Sequence, residues 1–107
     1  MNKNAFRGKQ LNAHQIKQAL EINKAMLKSM GVLKIGLFGS YTRGSARVDS
    51  DIDFIIQLNH PTFDSYMNLK IYLEDLFGCK IDLVLEETIK LQLRSYILEE
   101  VIYASGL

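Results

Sequence analysis

Gly39 and Ser40 are followed, after ten intervening residues, by Asp51, Ile52 and Asp53. Two apolar runs bracket the stretch, Ile35-Gly36-Leu37-Phe38 before it and Phe54-Ile55-Ile56 after it. Residues i and i+2 of an extended strand point the same way, so Asp51 and Asp53 place two carboxylates side by side. Like charges so close repel unless a cation sits between them. Mg²⁺ suits the pair, because it takes hard oxygen ligands and is often held by one or two carboxylates plus substrate phosphates. Gly39 lets backbone approach a phosphate closely. Ser40 adds a hydroxyl and a backbone N–H, and a helical turn beginning there would offer free N–H groups to an anion. Arg43 and Arg47 could each reach phosphate oxygens in a bidentate fashion. Metal, phosphate cradle and positioning are what phosphoryl and nucleotidyl transfer require.

These groups need elements to hold them. Asn12 is a candidate N-cap for a helix running to about Met30, with Ile16, Leu20, Leu27 and Met30 at helical spacing and Gly31 as its stop. Val32 to Phe38 reads as a buried strand, and Gly39 to Ser50 as a polar connection with a short helical turn near Ser40. In the second strand, Ile52 to Leu58, Ile52, Phe54, Ile56 and Leu58 share one face, and Asp51, Asp53, Ile55 and Gln57 the other. Asn59-His60-Pro61 breaks that strand. Thr62 caps a helix to about Phe77, with Asp64 in the first turn where the helix dipole favours it, and Gly78 ends it. Lys80 to Leu85 is a third strand, with Asp82 on the face it shares with Val84. A final helical region opens at Glu86-Glu87-Thr88, with Leu93, Ile97, Leu98, Val101 and Ile102 as its apolar stripe. The order α-β-β-α-β-α predicts an α/β (α+β) fold, a small mixed sheet flanked by helices. If the Asp82 strand neighbours the Asp51–Asp53 strand in matching orientation, three carboxylates converge. Two would hold metal, and the third would bind a second ion or accept a proton from an attacking hydroxyl.

The bulk composition narrows the class. The 107 residues fit one domain, expected to span 1–107 with residues 1–10 loosely docked. Hydrophobic residues make up 48%, enough for a core without staples. A net charge of +1 argues against a long nucleic-acid surface, which needs excess Lys and Arg. Cys79 is the single cysteine, so no internal disulfide forms, and a reducing compartment is expected. The N-terminus shows no apolar leader core, and no apolar run approaches a membrane span. A cytoplasmic setting without a membrane partner follows as an expectation.

Several ordinary readings compete. Asp49, Asp51 and Asp53 resemble the opening of an EF-hand loop, but Phe54 stands where that loop needs Gly. Gly36, Gly39 and Gly44 match neither a dinucleotide fingerprint nor a Walker loop. His14 and His60 have no ligand-spaced partner, Cys79 reads as a small buried apolar residue, and Tyr66, Tyr72 and Tyr96 read as core or interface rather than a base-stacking platform. The signal lies in the combination of loop, paired acids and a third acid.

Gly39-Ser40-Tyr41-Thr42-Arg43-Gly44 followed by Ser50-Asp51-Ile52-Asp53-Phe54 resembles the minimal nucleotidyltransferase (MNT) family of the polymerase-beta-like superfamily. Lys80-Ile81-Asp82-Leu83-Val84 resembles that family's third acidic strand, and the segment from Leu93 to Tyr103 its closing helix. The resemblance covers the chain from about residue 20 onward. It implies a nucleotidyltransferase fold, with Asp51, Asp53 and Asp82 as catalytic metal-binding carboxylates for Mg²⁺. It also implies Gly39 and Ser40 at the triphosphate, and Arg43 orienting phosphates. Many such short proteins are antitoxins that transfer AMP from ATP to a tyrosine of a separately encoded, helical HEPN-type ribonuclease toxin. Phe54 stands where the family more often has an aliphatic residue. The short chain leaves no room for an acceptor-binding domain, so the acceptor surface is expected from this domain, a homo- or hetero-oligomer, or the partner. Neutralisation by binding alone, and transfer to a small molecule or RNA end, remain the alternatives.

Overall fold

The computed structural model describes residues 11–47 and 50–107. The expectation for residues 1–10, and Asp49 of the discarded EF-hand reading, lie outside the described residues. The element order is α1 (Ala13–Ile22), α2 (Lys24–Ser29), β1 (Val32–Phe38), α3 (Ser40–Arg43), β2 (Ile52–Leu58), α4 (Phe63–Phe77), β3 (Ile81–Leu85), a 3₁₀ turn (Glu86–Thr88), α5 (Leu91–Glu100) and β4 (Ile102–Tyr103). Among the described residues, four strands form one mixed sheet in the order β3-β2-β1-β4. β1 runs antiparallel to both β2 and β4, while β2 and β3 are parallel. Parallel neighbours need a crossover, which α4 supplies.

Local chemistry sets the boundaries. The Asn12 side chain accepts from the Gln15 N–H at 2.8 Å, and Gln15 Oε1 accepts from the Asn12 N–H at 3.0 Å. This reciprocal cap satisfies two otherwise unpaired helix donors. Thr62 and Ser65 build the same device at the start of α4, and Gly78 closes that helix in the left-handed region at φ 68°. The single helix expected from Asn12 to Met30 is instead two, divided at Asn23. There the Asn23 amide donates to the Ala19 carbonyl at 2.7 Å while its Oδ1 accepts from the Tyr72 hydroxyl at 2.9 Å. A side chain that bonds local backbone competes with helix continuation, and the tyrosine on α4 fixes it in that role.

The core lies between one face of the sheet and helices α1, α2 and α4. It contains Ile16, Leu20, Leu27, Ile35, Leu37, Ile52, Phe54, Ile56, Leu69, Leu73, Phe77 and Ile81, all essentially inaccessible. The predicted face of β2, Ile52, Phe54, Ile56 and Leu58, is buried as a set. Ile55, on the opposite face, is buried too, outside this main cluster. That second face carries polar contacts near the 3₁₀ turn. Glu86 accepts from Gln57 Nε2 at 3.1 Å and from the Tyr103 hydroxyl at 3.2 Å, and lies 3.7 Å from Lys34 Nζ.

The C-terminal region departs from expectation. α5 stops at Glu100, and Ile102 and Tyr103 form β4 against Leu37 and Gly36 of β1. No residue of α5 is buried. Its supposed apolar stripe is therefore no core stripe: Val101 and Ile102 have left the helix, and Leu93 and Leu98 are exposed. The switch to strand is permitted by Gly36, where an added Cβ would come within 2.4 Å of Val101 Cγ1 and 2.9 Å of Tyr103 Cδ1. Among the described residues, no helix is long and apolar enough to cross a membrane.

Candidate active site

β1 is followed by Gly39, whose φ of 83° and ψ of −148° belong to a region essentially reserved for glycine. A side chain would also collide here, because a Cβ on Gly39 would fall 2.2 Å from Asp53 Oδ2. The glycine thus allows the loop backbone to pass directly over the carboxylate of the next strand. Ser40 then opens α3, and Gly44 ends it in the left-handed region at φ 73°. Thr42 Oγ1 donates to the Gly39 carbonyl at 2.8 Å, which holds the turn closed.

The acids come from two neighbouring strands. Asp53 of β2 and Asp82 of β3 are direct register partners in the parallel pair, so their side chains project on one face. Asp51 precedes β2 and is exposed; Asp53 is half-buried and Asp82 exposed. The start of β3 is fixed from α4. Lys70 Nζ donates to the Ile81 carbonyl, and Glu74 Oε2 accepts from the Ile81 N–H at 3.3 Å. The Ile52 N–H donates to the Lys80 carbonyl at 3.1 Å. These bonds hold the two strands in register where the acids lie.

Electrostatics reflect the crowding. The Asp53 carboxyl is pushed up to about 6, first by burial, then by the charge of Asp82 and a hydrogen bond with it, then by Asp51, while Arg43 acts in the opposite sense. Negative charge is thus concentrated where a cation would relieve it. Among the described residues, no three acidic, His or Cys side chains are grouped so as to hold a metal ion on their own. Mg²⁺ does not need such a group, since substrate phosphates commonly complete its shell. Asp53 and Asp82, adjacent across the β2–β3 register, supply a pair of hard carboxylate donors that fits this mode.

A cavity of about 460 Å³ opens beside these groups, lined by Phe38, Gly39, Arg43, Asp53, Tyr96, Ile97 and Glu100. Of the candidate site residues expected from the sequence, it brings together Gly39, Arg43 and Asp53. Ser40, Asp51 and Asp82 lie outside its lining, as does the exposed Arg47, whose N–H instead donates to Ser50 Oγ at 2.8 Å. Sequence reasoning missed the α5 contribution. Tyr96 is 73% exposed on the cavity wall, whereas the Tyr66 and Tyr72 hydroxyls are tied to the Leu83 carbonyl and to Asn23. Glu100 did leave a signal. An acid in the last turn of a helix opposes the helix dipole, so Glu100 needs donors from elsewhere, and it finds them at Gly39 and Arg43.

Residues 16–104 match the nucleotidyltransferase domain family. The chain belongs to that family. It is 37% identical over 95 residues to protein adenylyltransferase MntA of Thermococcus cleftensis, covering 87% of this chain and 96% of that protein. A solved minimal nucleotidyltransferase aligns with a TM-score of 0.75 at 30% identity, covering 89% of this chain and 98% of the other. A chain from the complex of a tri-AMPylated Shewanella oneidensis HEPN toxin with its MNT antitoxin aligns with a TM-score of 0.60, covering 85% and 73% of the two chains. At 20% identity that last likeness speaks for the fold alone. The mixed sheet and flanking helices are therefore a nucleotidyltransferase fold, and the chain is a transferase. Within this nucleotidyltransferase the Gly39 loop, Asp53 of β2 and α5 line one cavity, and Asp82 of β3 stands beside Asp53 in register.

Proposed function

We propose that this nucleotidyltransferase is a Mg²⁺-dependent protein adenylyltransferase. In this reading it moves AMP from ATP to a tyrosine hydroxyl of a HEPN-type toxin and acts in the cytoplasm as the antitoxin. The observation that carries the reading is the register pairing of Asp53 with Asp82 directly beneath Gly39. It is supported by the 37% identity to a protein adenylyltransferase. Asp51, Asp53 and Asp82 would hold Mg²⁺, which supplies charge neutralisation at the phosphates when bound.

The chain's own residues have distinct tasks. The Gly39 backbone admits the triphosphate next to Asp53, Ser40 contributes its hydroxyl and N–H, and Arg43 orients phosphate oxygens. The acceptor hydroxyl attacks the α-phosphorus, the bond to the bridging oxygen breaks, and pyrophosphate leaves. A carboxylate of the trio takes the hydroxyl proton. The chain is then ready for a second ATP, and the acceptor carries a phosphodiester-linked AMP.

The test is incubation of the full chain with labelled ATP, Mg²⁺ and the protein encoded beside it. Wild type should label a tyrosine of that protein and Asp53→Ala should not; absence of label with both would refute the reading. One observation favours a second reading, neutralisation by binding alone. α5 leaves Leu91 81% exposed and Leu93 half-exposed, a surface suited to a protein partner. An Asp51→Ala/Asp53→Ala variant that binds the partner but no longer neutralises it would eliminate this second reading.

A further inference from the structure

Glu100 lies where an anion would sit in the loop after β1. Its Oε1 accepts a hydrogen bond from the Gly39 backbone N–H at 3.2 Å and another from Arg43 Nη1, also at 3.2 Å. A backbone N–H and a guanidinium converging on one acidic oxygen is the donor set that holds a phosphate oxygen. The same carboxylate lines the cavity together with Gly39, Arg43 and Asp53. Among the described residues, Arg43 is the only cation in that lining, and Glu100 already engages it.

The surroundings make this contact exchangeable. Asp53 in the same cavity has the same sign as Glu100. Glu100 also sits at the unfavourable end of the α5 dipole. α5 buries none of its residues, so few packed contacts oppose its movement.

We propose that Glu100 is an internal stand-in for a phosphate group. It occupies the Gly39 and Arg43 donors while no nucleotide is bound, and a nucleoside triphosphate must displace it to enter. The affinity for nucleotide is then set by an exchange of carboxylate for phosphate, and nucleotide entry releases the end of α5 from the loop. This rests on the nucleotide-transfer reading of the site and adds to it the residue that regulates access.

The test is calorimetric titration of the full chain with a non-hydrolysable ATP analogue and Mg²⁺. Glu100→Gln keeps the side-chain shape but weakens the charge-assisted contact, and it should bind the analogue about tenfold tighter than wild type. Glu100→Ala, which removes the competitor outright, should also bind more tightly, and gives an independent reading if the glutamine variant is poorly folded by thermal melting. Equal or weaker binding by both folded variants would overturn the proposal, since weaker binding would mean that Glu100 positions Arg43 for the nucleotide. Absence of binding by wild type and both variants would instead overturn the underlying nucleotide reading, and this proposal with it.

Discussion

Asp53→Asn should make the nucleotide- and metal-free protein more stable at neutral pH while abolishing transfer. The folded protein raises the Asp53 carboxyl from 3.8 to about 6. Between those values the folded state binds a proton that the unfolded state has released, so stability falls as pH rises through the window. Above about pH 6 the penalty is fully present. A shift of this size would amount to roughly 3 kcal/mol at full strength. Asp53 is only half-buried, however, and solvent screening reduces the effect to about 1 kcal/mol. In a domain of this length that corresponds to a rise of about 5 °C in melting temperature. Asparagine keeps the shape and can donate to Asp82, so little packing is lost. The assay is thermal unfolding of both proteins across pH 3.5 to 8, with and without Mg²⁺. The gain should be full at pH 7, shrink through the window and vanish near pH 4, and Mg²⁺ should stabilise wild type more than the variant. A variant that melts lower than wild type at pH 7, or a difference independent of pH, would refute the reasoning that like charges crowd this carboxyl.

Three further outcomes are expected. Gly39→Ala should melt lower by at least the roughly 1–3 kcal/mol of a strained backbone and lose binding of an ATP analogue, because its Cβ would meet Asp53 Oδ2 at 2.2 Å. Gly36→Ala should cost about 1–3 kcal/mol by overpacking against Val101 and Tyr103, and hydrogen exchange at Ile102 and Tyr103 should rise; unchanged protection would show that β4 is not seated as described. Glu21 accepts from Lys17 Nζ and the Ser105 N–H, in that order of effect, which lowers its carboxyl from 4.5 to about 2. Its contribution is therefore present above about pH 4.5 and lost as pH falls toward 2. Glu21→Gln should melt below wild type at pH 7 and converge with it in acid.

The parts of the fold that were legible in the sequence are those set by local rules. Alternation in β2, the Thr62 cap and the Gly78 stop depend on neighbours in the chain, and the structure shows each where expected. The placement of Asp82 opposite Asp53 needed one added assumption, that β3 runs parallel to β2, which the α4 crossover supplies. What could not be read depends on distant partners. Asn23 ends α1 with its side chain bonded to Tyr72, 49 residues away. Val101 and Ile102 fit a helical stripe by spacing, yet they leave the helix because Gly36 opens room beside β1. An acid at a helix end signalled that Glu100 needs outside donors, but that these are Gly39 and Arg43, 61 and 57 residues away, showed only once α5 and β4 were seen together.

We propose that the paired acids of β2 and β3 direct transfer of a nucleotide rather than a phosphoryl group. It is tested most directly by presenting the partner protein with ATP labelled at the α-phosphate or, separately, at the γ-phosphate. Wild type should transfer α-label to a partner tyrosine and no γ-label, while folded Asp82→Asn should transfer neither. Transfer of γ-label, or α-labelling undiminished in Asp82→Asn, would contradict it.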